Sequence, residues 1–235
     1  LSPWALRRPI GQFNALYREW SKCQRGKLRA WQRTLDDWGI LNTSVGRKIT
    51  DCVWRSADLS EAAAGLDRAF LVLLWDLAKA FEKVNQAKLI DLAKRLGFPA
   101  PILRVVVNAY KWTRDVVMDG IVASGALPDN AVVAGCFAAT YALAAYLITD
   151  LKTQQEQHPE VLLSVHIDDI GQEVTADSEA EVTQLLGDSA RDLKAAIEQD
   201  LDMVLAGSKG TLLGNTTAVT ERAQEALRSL GLPAR

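Results

Sequence analysis

Two β-rich runs lie in the second half of the chain, with only two aspartates between them. Val161 to Ile167 and Ile170 to Thr175 are rich in apolar and β-branched side chains, and Asp168-Asp169 joins them. Two such runs with so short a polar link predict a tight antiparallel hairpin. We therefore expect an antiparallel pair of strands with two carboxylates at its tip.

A third strand is predicted much earlier in the chain. Phe70 to Trp75 is a continuous apolar run, typical of a strand buried on both faces, and it stops at Asp76. Helical patterns separate it from the hairpin, and a helix and a short strand near Thr211 to Leu213 follow the hairpin. This order predicts an α+β fold, a ferredoxin-like antiparallel sheet with helices on one face. Asp76 is then expected to lie beside the hairpin tip.

Apolar spacing predicts helices along the rest of the chain, and one further edge strand over 115–118. The first helix covers about 12–38, is broken near Gly26 and closes at Gly39. The other helices are predicted at 45–64, 86–96, 102–112, 134–155, 178–199 and 220–230. An uncharged run over 130–149 has the length of a membrane span, but it is rich in alanine and flanked by aspartates. We expect a buried helix there and no membrane partner.

The composition is that of an ordinary globular protein. With 49% hydrophobic and 24% charged residues, the chain is neither disordered nor fibrous. Its 3 cysteines and 2 histidines predict neither a disulfide framework nor a His- or Cys-based metal site. We expect an intracellular protein, in the nucleus or cytoplasm and not secreted. Leu1 in place of an initiator methionine indicates an excised piece of a longer chain.

The net charge of −2 is the sum of two halves of opposite sign. Residues 1–120 carry 20 basic and 12 acidic side chains, whereas 121–235 carry 7 and 17. A basic half suits polyanions, and an acidic half suits cations such as Mg²⁺. The basic run near the N-terminus also has a plainer interpretation, as the solvated face of a helix. The near-neutral total therefore does not exclude a nucleic-acid partner.

Three aspartates that converge without competing histidine or cysteine describe an all-oxygen site for a hard cation, usually Mg²⁺. Two such ions about 3.5 to 4 Å apart activate a hydroxyl and stabilise a departing phosphate oxygen in nucleotidyl transfer. The plainer alternative is that Asp168-Asp169 only forms a turn. Asp36-Asp37 is a second aspartate pair in this chain, beside a predicted helix end. Only the later pair lies between two β-rich runs.

Several segments, in order, resemble the conserved blocks of reverse transcriptases. WDLAKAFEKVNQAKLIDLAKRLGFP at 75–99 resembles the first catalytic block, and VHIDDI at 165–170 resembles the second. AGCFAAT at 134–140 stands where that family positions template and nucleotide, and Lys209 in LAGSKGT matches the lysine of the next block. RRPIGQFNALYREW near the N-terminus resembles the fingers segment of non-LTR retroelement and group II intron-like enzymes. The match extends from residue 7 to about 214.

The resemblance implies the fingers and palm of a right-hand polymerase. Residues 1–69 would be a basic, helical fingers-like region, 70–214 the palm, and 215–235 a C-terminal helix leading toward a thumb; part of 85–130 would belong to the fingers. The implied activity is RNA-templated DNA synthesis, with an RNA template, a DNA primer and dNTPs as partners. Two Mg²⁺ ions, replaceable by Mn²⁺, are the implied cofactors.

The resemblance also implies individual roles. Asp76 and Asp168 would bridge the metals, with Asp169 in support. Lys209 would approach the pyrophosphate, and Phe81 would be the steric gate that excludes a ribose 2′-hydroxyl. The remaining substrate-binding positions are Arg8 near the triphosphate, Leu77 and Gly135. Without the resemblance, Phe81 has a plainer interpretation as a buried apolar residue and Lys209 as a solvated side chain.

Departures from the family pattern leave two alternatives open. Glu82 replaces the more usual aspartate, and His166 stands where a tyrosine or phenylalanine is expected. The middle block has Ala134 and Ala139-Thr140 in place of the family's Gln and Ser-Pro. One alternative is a catalytically inactive relic or nucleic-acid-binding module with the same fold. The other is an RNA-directed RNA polymerase, against which Phe81 argues.

Overall fold

The structure is a computed structural model that describes residues 11–43, 46–126 and 130–232. It divides into two compact units, each built from two stretches of chain. The first unit takes the chain up to Gln32 and then Phe81–Tyr146. The second takes Arg33–Ala80 and the chain from Leu147 onward.

The helices and strands follow one another along the chain in a mixed order. The helices are α1 (Ala15–Arg33), α2 (Ile49–Gly65), α3 (Ala80–Lys83), α4 (Gln86–Arg95), α5 (Ala100–Tyr110), α6 (Ala139–Gln157), α7 (Glu179–Ala195) and α8 (Thr217–Ala226). The strands are β1 (Ala69–Asp76), β2 (Arg114–Met118), β3 (Ile121–Ala126), β4 (Leu162–His166), β5 (Asp169–Ala176) and β6 (Thr211–Gly214).

A four-stranded antiparallel sheet forms the centre of the second unit. Its strand order is β4-β5-β1-β6, so β1 lies between β5 and β6. Leu71 and Leu73 of β1 have no exposed surface, as expected for the continuous apolar run from which this strand was predicted. The α+β class, the antiparallel sheet and the hairpin are therefore confirmed.

The two faces of this sheet are covered by different helices. Alternation along β1 places Leu71, Leu73 and Trp75 on one face, and α7 and α8 pack against β1 there. Phe70 and Val72 point to the other face and cluster with Ala63 and Leu59 of α2. Helices therefore cover both faces, which corrects the expectation of helices on one face. The amphipathic pattern of α2 did not reveal which surface it would cover.

The first unit is held together by aromatic side chains of α1. Trp31 donates from Nε1 to the carbonyl of Leu96 at 2.9 Å, and its ring centroid lies 4.6 Å from that of Phe98. Farther toward the N-terminus of α1, Tyr17 stacks on Phe13 at 4.5 Å between ring centroids. Such contacts bury large apolar area and fix the helix to the loops that surround it.

One predicted detail of the first unit is wrong and another is incomplete. α1 runs without a break through Gly26, because the packing of buried Leu28 and Trp31 outweighs the cost of about 1 kcal/mol for an exposed glycine in a helix. The edge strand predicted over 115–118 forms as β2, but it pairs with β3 in a hairpin that was not predicted. The second half was missed because Ile121 and Val122 are both exposed, at 74% and 59%, so β3 lacks the alternation of a half-buried strand.

The uncharged run forms a buried helix, as predicted. Leu143 and Tyr146 of α6 have no exposed surface. The helix begins at Ala139 instead of 134, because the chain before it turns at Gly135, whose φ is 94°. Over the described ranges, no helix combines the length and apolar character needed to cross a bilayer.

Candidate active site

Asp76 and Asp169 face each other across the centre of the sheet. Asp76 is the last residue of β1 and Asp169 the first of β5, and the antiparallel register pairs them directly. Directly opposed residues project to the same face with Cβ atoms about 4.5–5.5 Å apart. His166, at the end of β4, pairs with Asp169 from the other side. The three residues therefore form one row across the sheet.

Asp168 lies in the turn that joins β4 to β5. The two turn residues are Ile167 and Asp168, so the hairpin tip is one residue earlier than predicted and Asp169 already belongs to β5. Ile167 has a φ of 62°, a left-handed value that is strained for a β-branched side chain. The carbonyl of Asp168 accepts a hydrogen bond from Leu77 N–H at 3.3 Å, which ties the turn to the end of β1.

Lys209 reaches the same place from the segment before β6. The N–H of Ala78 donates to the carbonyl of Val204, and the N–H of Ala206 donates to that of Asp76, each at 2.8 Å. A short 3-10 turn, Gly207–Lys209, follows. Lys209 Nζ lies 2.6 Å from Asp76 Oδ2. Their side chains are 59% and 20% exposed, so this ion pair positions the groups more than it stabilises the fold.

The carboxylates at this row fit a hard divalent cation such as Mg²⁺. Asp76 and Asp169 could supply oxygen ligands, with His166 as the one nitrogen-bearing side chain of the row, and Mg²⁺ is commonly held by one or two carboxylates with water and phosphate oxygens as its other ligands. Within the described residues, no three His, Cys, Asp or Glu side chains are grouped as a metal site. The protein's own contribution would therefore come from two carboxylates, with Asp168 next to them.

A cavity of about 700 Å³ opens beside this row, between the sheet and α2. Its floor consists of positions on the Asp76 side of the sheet, and its wall includes Cys52 and Ser56. The cavity is deepest at the middle of the sheet, where Gly171 has no side chain and pairs with the small residue Ser164 on the neighbouring strand. A Cβ at Gly171 would lie 2.8 Å from Ser164 Oγ, so a larger residue there would have to displace the Ser164 side chain. This volume is within the range of ligand-binding clefts.

Glu173 closes the far end of the cavity. It lies four residues beyond Asp169 on the same face of β5 and is only 4% exposed. Burial raises the pKa of its carboxyl group, and the nearby Arg55 partly opposes that shift. Arg55 Nε lies 3.8 Å from Glu173 Oε2. The two ends of the cavity thus differ: one end has carboxylates that are partly or fully exposed to solvent, and the other has a buried acid.

The other predicted site residues lie elsewhere. Leu77 directly follows Asp76, but the whole residue is buried and its N–H already donates to the carbonyl of Asp168. Phe81 is half-buried in α3, where its carbonyl accepts from the N–H of Val132 at 2.8 Å. Gly135 is exposed in the turn before α6. Both belong to the first unit. Arg8 lies outside the described residues.

Lys209 was predicted as a site residue only through the resemblance, and the course of the segment before it along the end of β1 was not predicted. Leu205 forms an isolated bridge with Leu77, which extends the β1 edge past Asp76. Gly207 is required there because a Cβ would lie 2.8 Å from the carbonyl oxygen of Gly231. The short apolar spacing around Leu205 and the glycines that follow were the available signal. It is too weak to separate from an ordinary loop.

Comparison with known proteins identifies the fold but not the family. No protein-family profile and no curated protein matches the sequence. Among solved structures, apo telomerase from Candida tropicalis superimposes with a TM-score of 0.61 at 10% identity, over 82% of this chain and 36% of that one. A C-terminally truncated form of it gives 0.58 at 11% identity, over 87% and 44%. Telomerase from Candida albicans, in complex with a fragment of telomeric RNA, gives 0.52 at 10%, over 85% and 35%.

These neighbours are telomerase catalytic subunits, which have a reverse transcriptase-type fold. The present chain spans less than half the length of each. At such identity the likeness establishes the fold alone. It gives no support to the more specific non-LTR or group II intron type.

Proposed function

We propose that this chain carries RNA-templated DNA synthesis, the addition of deoxynucleotides to a primer 3′-hydroxyl. The observation that carries the proposal is the direct pairing of Asp76 with Asp169, beside Lys209, on a reverse transcriptase-type fold. Paired carboxylates at a strand end, next to an ammonium group, suit a reaction in which phosphate charge develops and moves. A structural role alone would not require three charged side chains from three separate segments at one place.

Each residue of the row has a defined task in this proposal. Asp76, Asp169 and the adjacent Asp168 would hold Mg²⁺, which when bound lowers the pKa of the attacking hydroxyl and neutralises charge on the phosphate. Lys209 Nζ, which donates a hydrogen bond to Asp76 Oδ2 in this structure, would stabilise the negative charge of the departing pyrophosphate or donate a proton to it. These residues would thus orient both the attacking hydroxyl and the departing pyrophosphate for an in-line displacement.

Residues 1–69, with part of 85–130, would supply the fingers, and the rest of 70–214 the palm. Phe81 would exclude the ribose 2′-hydroxyl with its ring, and Gly135 would leave room for the backbone to approach the template or nucleotide. Arg8 would bind the triphosphate through its guanidinium group, and Leu77 would be the substrate-binding position next to Asp76. These assignments rest on the sequence resemblance to reverse transcriptases.

Primer extension tests the proposal. A labelled DNA primer is annealed to an RNA template and supplied with dNTPs and Mg²⁺. Asp168→Asn should abolish extension while the circular dichroism spectrum is unchanged, because the turn tolerates asparagine. The matched control is Asp37→Asn, which alters an exposed aspartate of the other Asp-Asp pair. Full activity of the Asp168 variant would show that the assigned site is wrong.

One observation favours a second candidate, a catalytically inactive nucleic-acid-binding module. Lys209 already neutralises Asp76, which lowers the negative charge available to a cation. Calorimetric titration with Mn²⁺ separates the two candidates. Binding that Asp76→Asn abolishes supports the polymerase, whereas no binding to the wild-type protein, with intact affinity for RNA, supports the module.

A further inference from the structure

A row of cations on α1 has no part in the carboxylate site. Arg18, Lys22, Arg25 and Arg29 recur at intervals of three or four residues, and all four are exposed. An α-helix turns by about 100° and rises by about 1.5 Å per residue. The four side chains therefore fall within an arc of about 60° around the helix axis and extend over about 16 Å of its length. We call these four side chains the α1 basic stripe.

The protein itself neutralises little of this charge. Glu19 is the only acidic residue of α1, and its carboxylate pairs with Lys22 at 2.7 Å. In the described part of the chain, no ion pair involves Arg18, Arg25 or Arg29. Several cations on the helical segments of the second unit differ, since each of them pairs with a carboxylate three or four residues away. Those pairs are Lys152–Glu156, Arg191–Asp188, Lys194–Glu198 and Arg228–Glu225.

Like charges at these spacings destabilise a helix. The stripe contains three such neighbouring pairs, and α1 offers one carboxylate against them. The helix is held in place by its other side, where Tyr17, Leu28 and Trp31 are buried. A repulsive row that the described residues scarcely neutralise is suited to an anionic partner outside the protein.

The geometry of the α1 basic stripe favours a nucleic acid over a lipid bilayer as the anionic partner. The buried side of α1 holds most of its large apolar residues, and the exposed Leu16 alone is too small an apolar surface to enter a lipid bilayer. Three of the four cations are arginines, whose planar guanidinium groups bind phosphate through paired hydrogen bonds. About one cation per helical turn of 5.4 Å forms a line, and a nucleic-acid strand is a linear array of phosphates.

We propose that the α1 basic stripe binds the sugar-phosphate backbone of a nucleic-acid strand. This contact is separate from the carboxylate row and reads no sequence. The choice of RNA or DNA as the partner rests on the proposed function. The binding itself requires no catalysis, so it is measured independently of it.

The test is the salt dependence of binding to a fluorescein-labelled, single-stranded RNA of about 20 nucleotides, followed by fluorescence anisotropy. Four phosphate contacts to a single strand contribute a slope of about −3 in log affinity against log salt, or about 50-fold between 50 and 200 mM. The variant R18Q/K22Q/R25Q/R29Q should lose that component and bind more weakly at 50 mM salt. The control K152Q/R191Q/K194Q/R228Q removes the same total charge and should keep a slope close to that of the wild type.

Folding is checked by circular dichroism, where the stripe variant should retain its helix because like-charge repulsion has been removed. If it does not fold, R25Q alone should lower the slope by about 0.7, and R18K/R25K/R29K should preserve the wild-type slope. Labelled DNA of the same sequence identifies the preferred strand.

Equal slopes for the wild-type and stripe variants would overturn the proposal, as would an equal loss in the control. It would also be overturned if the stripe variant lost binding to phosphatidylserine vesicles but not to RNA. An active Asp168→Asn enzyme combined with a reduced slope would refute the proposed function and leave the stripe standing.

Discussion

Replacing Gln172 with leucine should destabilise the second unit by about 2 kcal/mol. Gln172 is fully buried on the sheet face opposite Asp76. Its Oε1 accepts from Trp75 Nε1 at 2.8 Å, and its Nε2 donates to Ser189 Oγ at 2.7 Å. These two bonds join β1, β5 and α7 behind the candidate site.

The magnitude follows from what each partner loses. Trp75 is 2% exposed, so its orphaned N–H costs about 1–3 kcal/mol. Ser189 Oγ keeps a longer contact to Gln154 Nε2 at 3.4 Å and loses less, about 0.5–1 kcal/mol. Burial of the apolar leucine side chain is more favourable than burial of an amide, and this offsets the loss by about 1 kcal/mol. The balance is a loss of about 0.5–3 kcal/mol.

Urea denaturation, followed by far-ultraviolet circular dichroism, measures this loss. The control Gln184→Leu changes an exposed glutamine on α7 and should stay within about 0.5 kcal/mol of the wild type. In a Trp75→Phe variant there is no indole N–H that could lose its acceptor. Gln172→Leu should therefore lower the free energy of unfolding by about 1–2 kcal/mol less there than in the wild type. An equal cost in both backgrounds would refute the reasoning.

Three further predictions concern the site and its surroundings. Ile167→Gly should raise stability in urea by about 0.5–1 kcal/mol, because glycine relieves the left-handed strain of the turn; a loss of stability would show that no strain is stored there. Burial raises the pKa of Glu173, so the folded state holds this proton more tightly than the unfolded state and ionisation weakens folding as the pH rises. The melting temperature of Glu173→Gln minus that of the wild type should therefore increase from pH 4 to pH 8. A difference that does not change with pH would contradict this. Phe81→Ala should incorporate ribonucleotides more readily in primer extension, and an unchanged dNTP/rNTP ratio would contradict the gate assignment.

The sequence predicted the elements of the site because their signals are local. The apolar run before Asp76 and the two runs around Asp168-Asp169 each obey the rules for buried strands, and the structure forms a strand from each of them. The pairing of these strands was inferable from the hairpin and the order of elements. The position of the tip was wrong by one residue, since the left-handed Ile167 occupies a position that sequence rules reserve for glycine.

Long-range contacts were beyond the sequence signals. The bond from Lys209 to Asp76 joins residues 133 apart, and it depends on how the segment around Leu205 runs along β1. The cover that α2 provides over Phe70 and Val72 depends on the tertiary arrangement, because its apolar side could have packed on either face of the sheet. Periodicity predicts which side of an element is buried, but not against what.

The central claim is that the row of carboxylates performs nucleotidyl transfer, and single-nucleotide incorporation measures this most directly. The rate of adding one dNTP to a primer on an RNA template is compared between the wild type and Asp76→Asn. Asparagine keeps an oxygen for Lys209 but loses the charge, and removal of a metal-binding carboxylate should cost several kcal/mol, about 10³-fold in rate. A rate within a few-fold of the wild type, in a protein with unchanged folding, would contradict the account.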